Sequence, residues 1–328
     1  MKITVLGAGS WGVALAMLLD KNGQDVTIWS LMTDEVSMLN TYREHKNNLP
    51  GIQLGEAIVV TGDLGHAIEG AEMVIFAVPS RFVRSTASLA KTFITDNQVI
   101  INVGKGLEDG TLFTLEQVLK DELKNNHVAV LSGPSHAEEV ARNIPTSVVA
   151  ACEDEDVVHR IQSVFMNENF RVYGSRDVIG VEMGGSLKNV IALAAGISDG
   201  LKFGDNTKAA LMTRGMTEIS RLGLAMGGDV KTFNGLSGMG DLIVTCTSMH
   251  SRNRRAGILI GEGATLDEAI DQVKMVVEGV YAAKAALALS KKYKVEMPII
   301  EEVNAVLFDG KDPLEAVGHL MERDKKFE

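Results

Sequence analysis

Cysteine is scarce: Cys152 and Cys246 are the only two in 328 residues, far apart and outside any CxxC arrangement. That excludes a disulfide framework and a cysteine zinc site and points to a reducing compartment. The seven histidines show no ligand spacing, so no metal is expected. Positive charge is also in deficit. With 32 Lys and Arg against 43 Asp and Glu, the net charge of -11 speaks against a general nucleic-acid or anionic-membrane surface. A small phosphorylated molecule is still an acceptable partner if a few cations gather in one pocket. No apolar run approaches the roughly eighteen residues of a membrane span, and MKITVLGAGSW is too short and too broken by glycine for a signal-peptide core. The expected location is cytoplasmic.

What the chain does have is an alternation of short apolar runs and amphipathic segments. Lys2–Leu6 is a β-branched run that meets Gly7-Ala8-Gly9-Ser10-Trp11-Gly12 just before an amphipathic stretch over 13–19. This is GxGxxG between strand and helix, the context that gives the motif meaning. Gly7 makes the turn, Gly9 lets a pyrophosphate approach the backbone, and Gly12 lets the helix pack on the strand. Phosphate charge would then sit at the helix N-terminus. Further strands are expected over 26–29, 58–61, 73–78, 99–103, 128–131, 145–151 and 170–173. Those up to 128–131, buried and joined by crossovers, imply a parallel, doubly wound, Rossmann-like sheet, and the last two read as further strands around a helix.

Ligands of these sheets lie beyond the carboxyl ends of the strands. Two segments stand out there, Gly104-Lys105-Gly106 and Ser132-Gly133-Pro134-Ser135-His136-Ala137. A lysine between two glycines contributes little to stability, so Lys105 is either a ligand contact or a solvated loop residue. Ser135, just before Glu138-Glu139, is a candidate contact or a helix cap.

From about Asp177 the strand-like runs stop and the pattern becomes helical. The expected domains are a dinucleotide-binding unit over 1–177 and an all-α unit over 178–328, with a cleft between them. The segment 180–204 repeats apolar residues at helical spacing, and on another stripe Lys188 stands among Gly184, Gly185, Ala192 and Ala195. Either the glycines permit tight helix packing while Lys188 snorkels to solvent, or a ligand lies on that face under the ammonium. Three glycines precede Asp241 and bend the backbone to present its carboxylate. In Ser251-Arg252-Asn253 a guanidinium and an amide could grip a phosphate, whereas Arg254 and Arg255 suit an ordinary basic helix face. Cys246 suits a small buried apolar position. The final RDKKFE suits a frayed tail.

With GAGSWG, VGKGLE, SGPSHAEEVA, GGSLKNVIALAAGISDGL, GLSGMGDLIVTCTS, SRNRRAG and VVEGVYAAKAA in order, the chain resembles the bacterial NAD(P)-dependent glycerol-3-phosphate dehydrogenases over nearly its whole length. The resemblance implies interconversion of dihydroxyacetone phosphate and sn-glycerol 3-phosphate by hydride transfer with NAD(P)H, supplying phospholipid synthesis. It implies Lys188 as catalytic acid and base. Lys105, Gly133, Ser135, Asp241, Ser251, Arg252 and Asn253 match substrate contacts. Ser10, Trp11, Lys105, Ala137, Arg252, Val276 and Glu278 match cofactor contacts, beside the Gly7, Gly9 and Gly12 of the loop. A homodimer is compatible with it. The alternatives are a β-hydroxyacid or ketopantoate type of reductase, which would not need the SRN triplet, and a dinucleotide sensor without turnover. After the second strand the family usually carries a His or Arg pair, and here stand Ser30-Leu31-Met32. With neither an acid nor a cation in that turn, the residues predict weak discrimination between NADH and NADPH.

Overall fold

Ile3, Thr4 and Val5 carry β-branched side chains that suit a pleated, buried surface. In the computed structural model, which describes residues 1–325 and 327, Lys2–Leu6 forms β1, an interior strand of an eight-stranded sheet. The other strands are β2 (Asp25–Trp29), β3 (Val59–Thr61), β4 (Met73–Phe76), β5 (Val99–Asn102), β6 (Val128–Ser132), β7 (Thr146–Ala151) and β8 (Phe170–Ser175). Their order is β3-β2-β1-β4-β5-β6-β7-β8. Chain order reverses between β1 and β4, which is the switch point where a crevice opens at the strand ends.

The helices of this part are α1 (Ser10–Lys21), α2 (Thr33–Tyr42), α3 (Leu64–Ile68), α4 (Val83–Ala90), α5 (Leu115–Glu122), α6 (Ala137–Val140) and α7 (Glu155–Phe165). Side-chain alternation along a strand feeds two cores. Met73 and Ile75 of β4 join one cluster with α1 and α7, while Val74 and Phe76 join another with α4 and α5. Helices therefore cover both faces, as the doubly wound reading requires.

The sheet is parallel from β3 to β6, but β7 runs antiparallel to β6. β8 pairs with β7 in parallel after the longer α7.

The chain divides into two compact units, one of residues 1–108 and 113–182, the other of 109–112 and 183–328. The second is built from α8 (Val178–Gly200), which starts in the first unit, α9 (Asp205–Ala225), α10 (Val230–Phe233), α11 (Asp241–Thr247), α12 (Arg252–Gly261), α13 (Leu266–Val273), α14 (Glu278–Tyr293), α15 (Pro298–Phe308) and α16 (Pro313–Met321). Among the described residues α8 is the one helix long and apolar enough to cross a membrane, a match the sequence pattern did not anticipate. Of its most apolar window 94% is buried inside the fold, as in a core helix. The tail expected over the last six residues includes Lys326 and Glu328, which lie outside the described residues.

Glycine sets how closely α8 meets α12. A Cβ on Gly196 would strike the Arg254 carbonyl, and one on Gly200 the Ile258 carbonyl. Reciprocally, Gly257 faces the Leu193 carbonyl and Gly261 the Ile197 carbonyl. Two Gly-x-x-x-Gly pairs thus mesh backbone to backbone, fixing the start of α12 against the helix that carries Lys188.

Candidate functional site

At the switch point, Gly7 has φ +119°, a conformation that L side chains rarely adopt, and a Cβ there would stand 2.7 Å from the Ala77 carbonyl oxygen that follows β4. Gly12 lies buried in the first turn of α1, where a Cβ would run into the Gly7 carbonyl. Gly9 differs: a Cβ there meets nothing within 4 Å. It caps α1 without a side-chain hydrogen bond, and the first-turn N–H groups that begin with Ser10 and Trp11 have no intrahelical acceptor. The two outer glycines are thus packing requirements, and the middle one leaves open space above a helix N-terminus. That is the shape and polarity a pyrophosphate needs. Trp11 packs its half-buried ring on the core.

The turn after β2 holds more than its sequence suggested. Ser30 is buried, and its hydroxyl donates to Glu35 Oε2 at 2.6 Å while accepting the Met32 N–H at 3.1 Å. Leu31 and Met32 are exposed. Glu35 lies in the first turn of α2, and its carboxylate reaches back to the strand end.

Beyond β5 and β6, three of the expected residues converge. Lys105 Nζ donates to the Gly133 carbonyl at 3.0 Å, and Ser135 Oγ donates to the same oxygen at 2.9 Å. Gly133 has φ +141° and lies against the Val148 backbone. Ser135 is not a helix cap. α6 starts at Ala137 with His136 at the cap position, and the serine hydroxyl is turned to Gly133 instead. Ala137 is buried at the first position of α6.

The Lys105 loop is pinned from beneath by residues the sequence did not single out. Asn102 Oδ1 accepts the Gly104 N–H at 3.0 Å, while its Nδ2 donates to the Gly104 carbonyl at 3.1 Å and to Glu182 Oε1 at 2.8 Å. Glu182 Oε2 accepts the Glu116 N–H at the start of α5. Burial first of all lifts the Glu182 carboxyl from 4.5 to about 7, against the hydrogen bonds that lower it. An asparagine closing an otherwise apolar strand run was the available signal.

In the helical unit Lys188 is buried at 5% exposure, so it does not snorkel. Its ammonium is paired with Asp241 Oδ1 and lies 2.5 Å from Thr245 Oγ1, which in turn donates to the Asp241 carbonyl at 2.6 Å. Asp241 is 1% exposed. The glycines before it serve a π-helical turn, Leu236–Gly240, where a Cβ on Gly238 would strike the Phe233 carbonyl. Gly184 of α8 packs at 2.7 Å, measured from a notional Cβ, on the Ser237 carbonyl of the same turn. Packing therefore accounts for Gly184, and the buried ion pair accounts for Asp241. Thr245 lies four residues after Asp241 on α11, which sets the two side by side on one face of that helix. Cys246 is fully buried and its thiol is pushed up by burial to about 12, in keeping with a small apolar residue.

In the SRN triplet, Ser251 caps α12 by accepting the Arg254 N–H at 3.2 Å. Arg252 is half-buried at the first position of α12. Asn253 is a brace: its Nδ2 donates to Asn189 Oδ1 at 2.9 Å, and its Oδ1 accepts the Gly279 N–H at 2.8 Å. It thus ties α12 to the residue after Lys188 and to the start of α14, where Glu278 is the first helical residue and Val276 lies two before it. Arg254 is not on a solvated basic face. Its guanidinium donates to Asp199 Oδ2 at 2.8 Å and to the Thr247 carbonyl at 2.7 Å, and its side chain is 13% exposed. The acid on α8 that draws it inward lies 55 residues away in sequence.

Two family models match the chain, the N-terminus of NAD-dependent glycerol-3-phosphate dehydrogenase over residues 2–158 and its C-terminus over residues 177–318. The chain is 59% identical to the glycerol-3-phosphate dehydrogenase [NAD(P)+] of Fusobacterium nucleatum, covering 100% of this chain and 98% of that protein. It is 55% identical to that of Agathobacter rectalis, covering 100% and 97%. Among solved structures it superposes on glycerol-3-phosphate dehydrogenase from Coxiella burnetii with a TM-score of 0.95, at 40% identity and over 98% of this chain and 99% of that one.

Proposed function

The chain belongs to the NAD-dependent glycerol-3-phosphate dehydrogenase family, and from that premise we propose that Lys188 is the acid and base of its reaction. The enzyme interconverts dihydroxyacetone phosphate and sn-glycerol 3-phosphate with NAD(P)H, a step that supplies glycerophospholipid synthesis. The observation that carries the role of Lys188 is its burial against Asp241 and Thr245 on a helix stripe that also holds Gly184, Gly185, Ala192 and Ala195.

Gly7, Gly9 and Gly12 with the first-turn amides of Ser10 and Trp11 would hold the dinucleotide, and the open space over Gly9 supports that assignment. Lys105, Ala137, Arg252, Val276 and Glu278 are proposed as further cofactor contacts. When bound, the nicotinamide supplies the hydride that reduces the ketone carbon. As the carbonyl oxygen gains negative charge, the Lys188 ammonium stabilises it and delivers a proton to it. In the reverse direction the neutral amine takes that proton from the hydroxyl. Asp241 favours the charged ammonium and, with Thr245, fixes the position of Nζ. Ser251, Arg252 and Asn253 are proposed to grip the phosphate. Lys105, Gly133 and Ser135, which share one carbonyl, are proposed as further substrate contacts. Two free, buried cysteines support a cytoplasmic location.

The test is an absorbance assay at the nicotinamide band, offering dihydroxyacetone phosphate against unphosphorylated ketones and ketoacids. Turnover confined to the phosphorylated ketone is expected. Turnover of ketoacids in its place would favour a β-hydroxyacid or ketopantoate type of reductase.

A further inference from the structure

In sheets of this topology the ribose of the adenosine is read at the end of β2, about twenty residues beyond the glycine loop, and an acid there recognises the 2′-hydroxyl. Position 30 is a serine, yet a carboxylate is present. Glu35 Oε2 accepts from Ser30 Oγ at 2.6 Å, and Glu35 Oε1 lies 3.6 Å from His45 Nε2. The serine thus works as a relay that fastens an acid from the first turn of α2 onto the strand end. The side chain of Glu35 is 27% exposed, which leaves it accessible to a ligand. The neighbouring His45 above all holds its carboxyl below the ordinary range, against burial that raises it and with help from Ser30. It is ionised at neutral pH.

The residues that follow Ser30 in the turn add no cation. Leu31 and Met32 are 69% and 59% exposed and apolar. The cations that follow in sequence are engaged elsewhere: Arg43 donates to the Gly55 and Ile58 carbonyls, and Lys46 lies over the Tyr42 ring at 3.1 Å from its centroid. We propose that Glu35, fastened by Ser30 and His45, makes this enzyme select NADH over NADPH. Its carboxylate accepts a hydrogen bond from the ribose 2′-hydroxyl and repels a 2′-phosphate. This replaces the weak discrimination predicted from Ser30-Leu31-Met32 alone, and it rests on the proposed seat of the dinucleotide at the glycine loop.

The test is equilibrium binding of NADH and of NADPH, followed by nicotinamide fluorescence without any ketone, for the parent and for Glu35→Gln and Ser30→Ala. The parent should bind NADH more tightly by about tenfold or more, the equivalent of one charge-assisted hydrogen bond. Glu35→Gln should bind NADPH more tightly than the parent does while binding NADH more weakly, and Ser30→Ala should move both constants in the same directions by less. A variant that merely loosened the fold would weaken both. Equal affinities in the parent, or a Glu35→Gln variant whose two constants stay put or weaken together, would overturn the proposal. Because no ketone is present, the outcome is independent of the substrate. A protein that shows the expected binding but does not reduce dihydroxyacetone phosphate would contradict the proposed reaction and leave the selection of NADH standing.

Discussion

Lys188 and Asp241 form an ion pair with almost no water around it, so each has become a condition for the other. Removing one partner of a buried pair costs about 3–5 kcal/mol, because a desolvated charge remains. Asp241→Ala should therefore lower the melting temperature markedly, and Lys188→Met with Asp241→Leu should recover most of the loss. A single variant as stable as the parent would show that the pair is not buried in solution. Arg252 serves a different purpose in this account. Arg252→Ala should raise the Michaelis constant for dihydroxyacetone phosphate by the equivalent of about 1.5–3 kcal/mol, the worth of a charged hydrogen bond. An unchanged constant would move the phosphate grip to other residues. At this scale the sequence disclosed residue types better than partners. Lys188 was conspicuous among glycines and alanines, and Asp241 after its glycines. Arg254 was misjudged because Asp199 lies 55 residues away.

Among the elements, α8 and α12 are joined by the least forgiving contact. Gly257→Ala would gain about 1 kcal/mol of helix propensity, yet its methyl would enter the space of the Leu193 carbonyl and the Gly196 Cα. Overpacking of that kind typically costs about 1–3 kcal/mol. Thermal unfolding should show net destabilisation together with weaker substrate binding, since α12 begins with Arg252. A more stable Gly257→Ala would mean that the two helices can separate freely. Gly7, Gly9 and Gly12 were legible because a short motif states its own context. The meshed pairs at 196, 200, 257 and 261 were not, since each glycine acquires its meaning only from a helix about sixty residues distant. The strands were legible from their apolar runs, whereas the direction of β7 was not.

For the molecule as a whole, two buried glutamates cap helices from afar: Glu182 at α5 in one unit, and Glu218 at α15 in the other through the Ile299 and Ile300 N–H groups. Burial is the largest influence on each and lifts both from 4.5 to about 7. Between these values the folded chain keeps protons that the unfolded chain has released. Their stabilising contribution is thus complete below 4.5 and lost as pH rises through 7, at about 1.4 kcal/mol per pH unit for each group. The melting temperature of Glu182→Gln/Glu218→Gln should consequently fall less between about pH 5 and 8 than that of the parent. Parallel curves would mean that neither carboxyl titrates in the fold. The sheet and the helical remainder could be read from periodicity, which is a local property. The buried caps could not, because their partners are 66 and 81 residues away.

The central claim is that Lys188 moves the proton. Single-turnover reduction of dihydroxyacetone phosphate by Lys188→Ala, with cofactor binding measured on the same samples, tests it most directly. We expect the chemical step to slow by about 10²–10⁴-fold or more, the usual worth of general acid catalysis, while the dinucleotide still binds. A rate within about tenfold of the parent with the cofactor bound would contradict it.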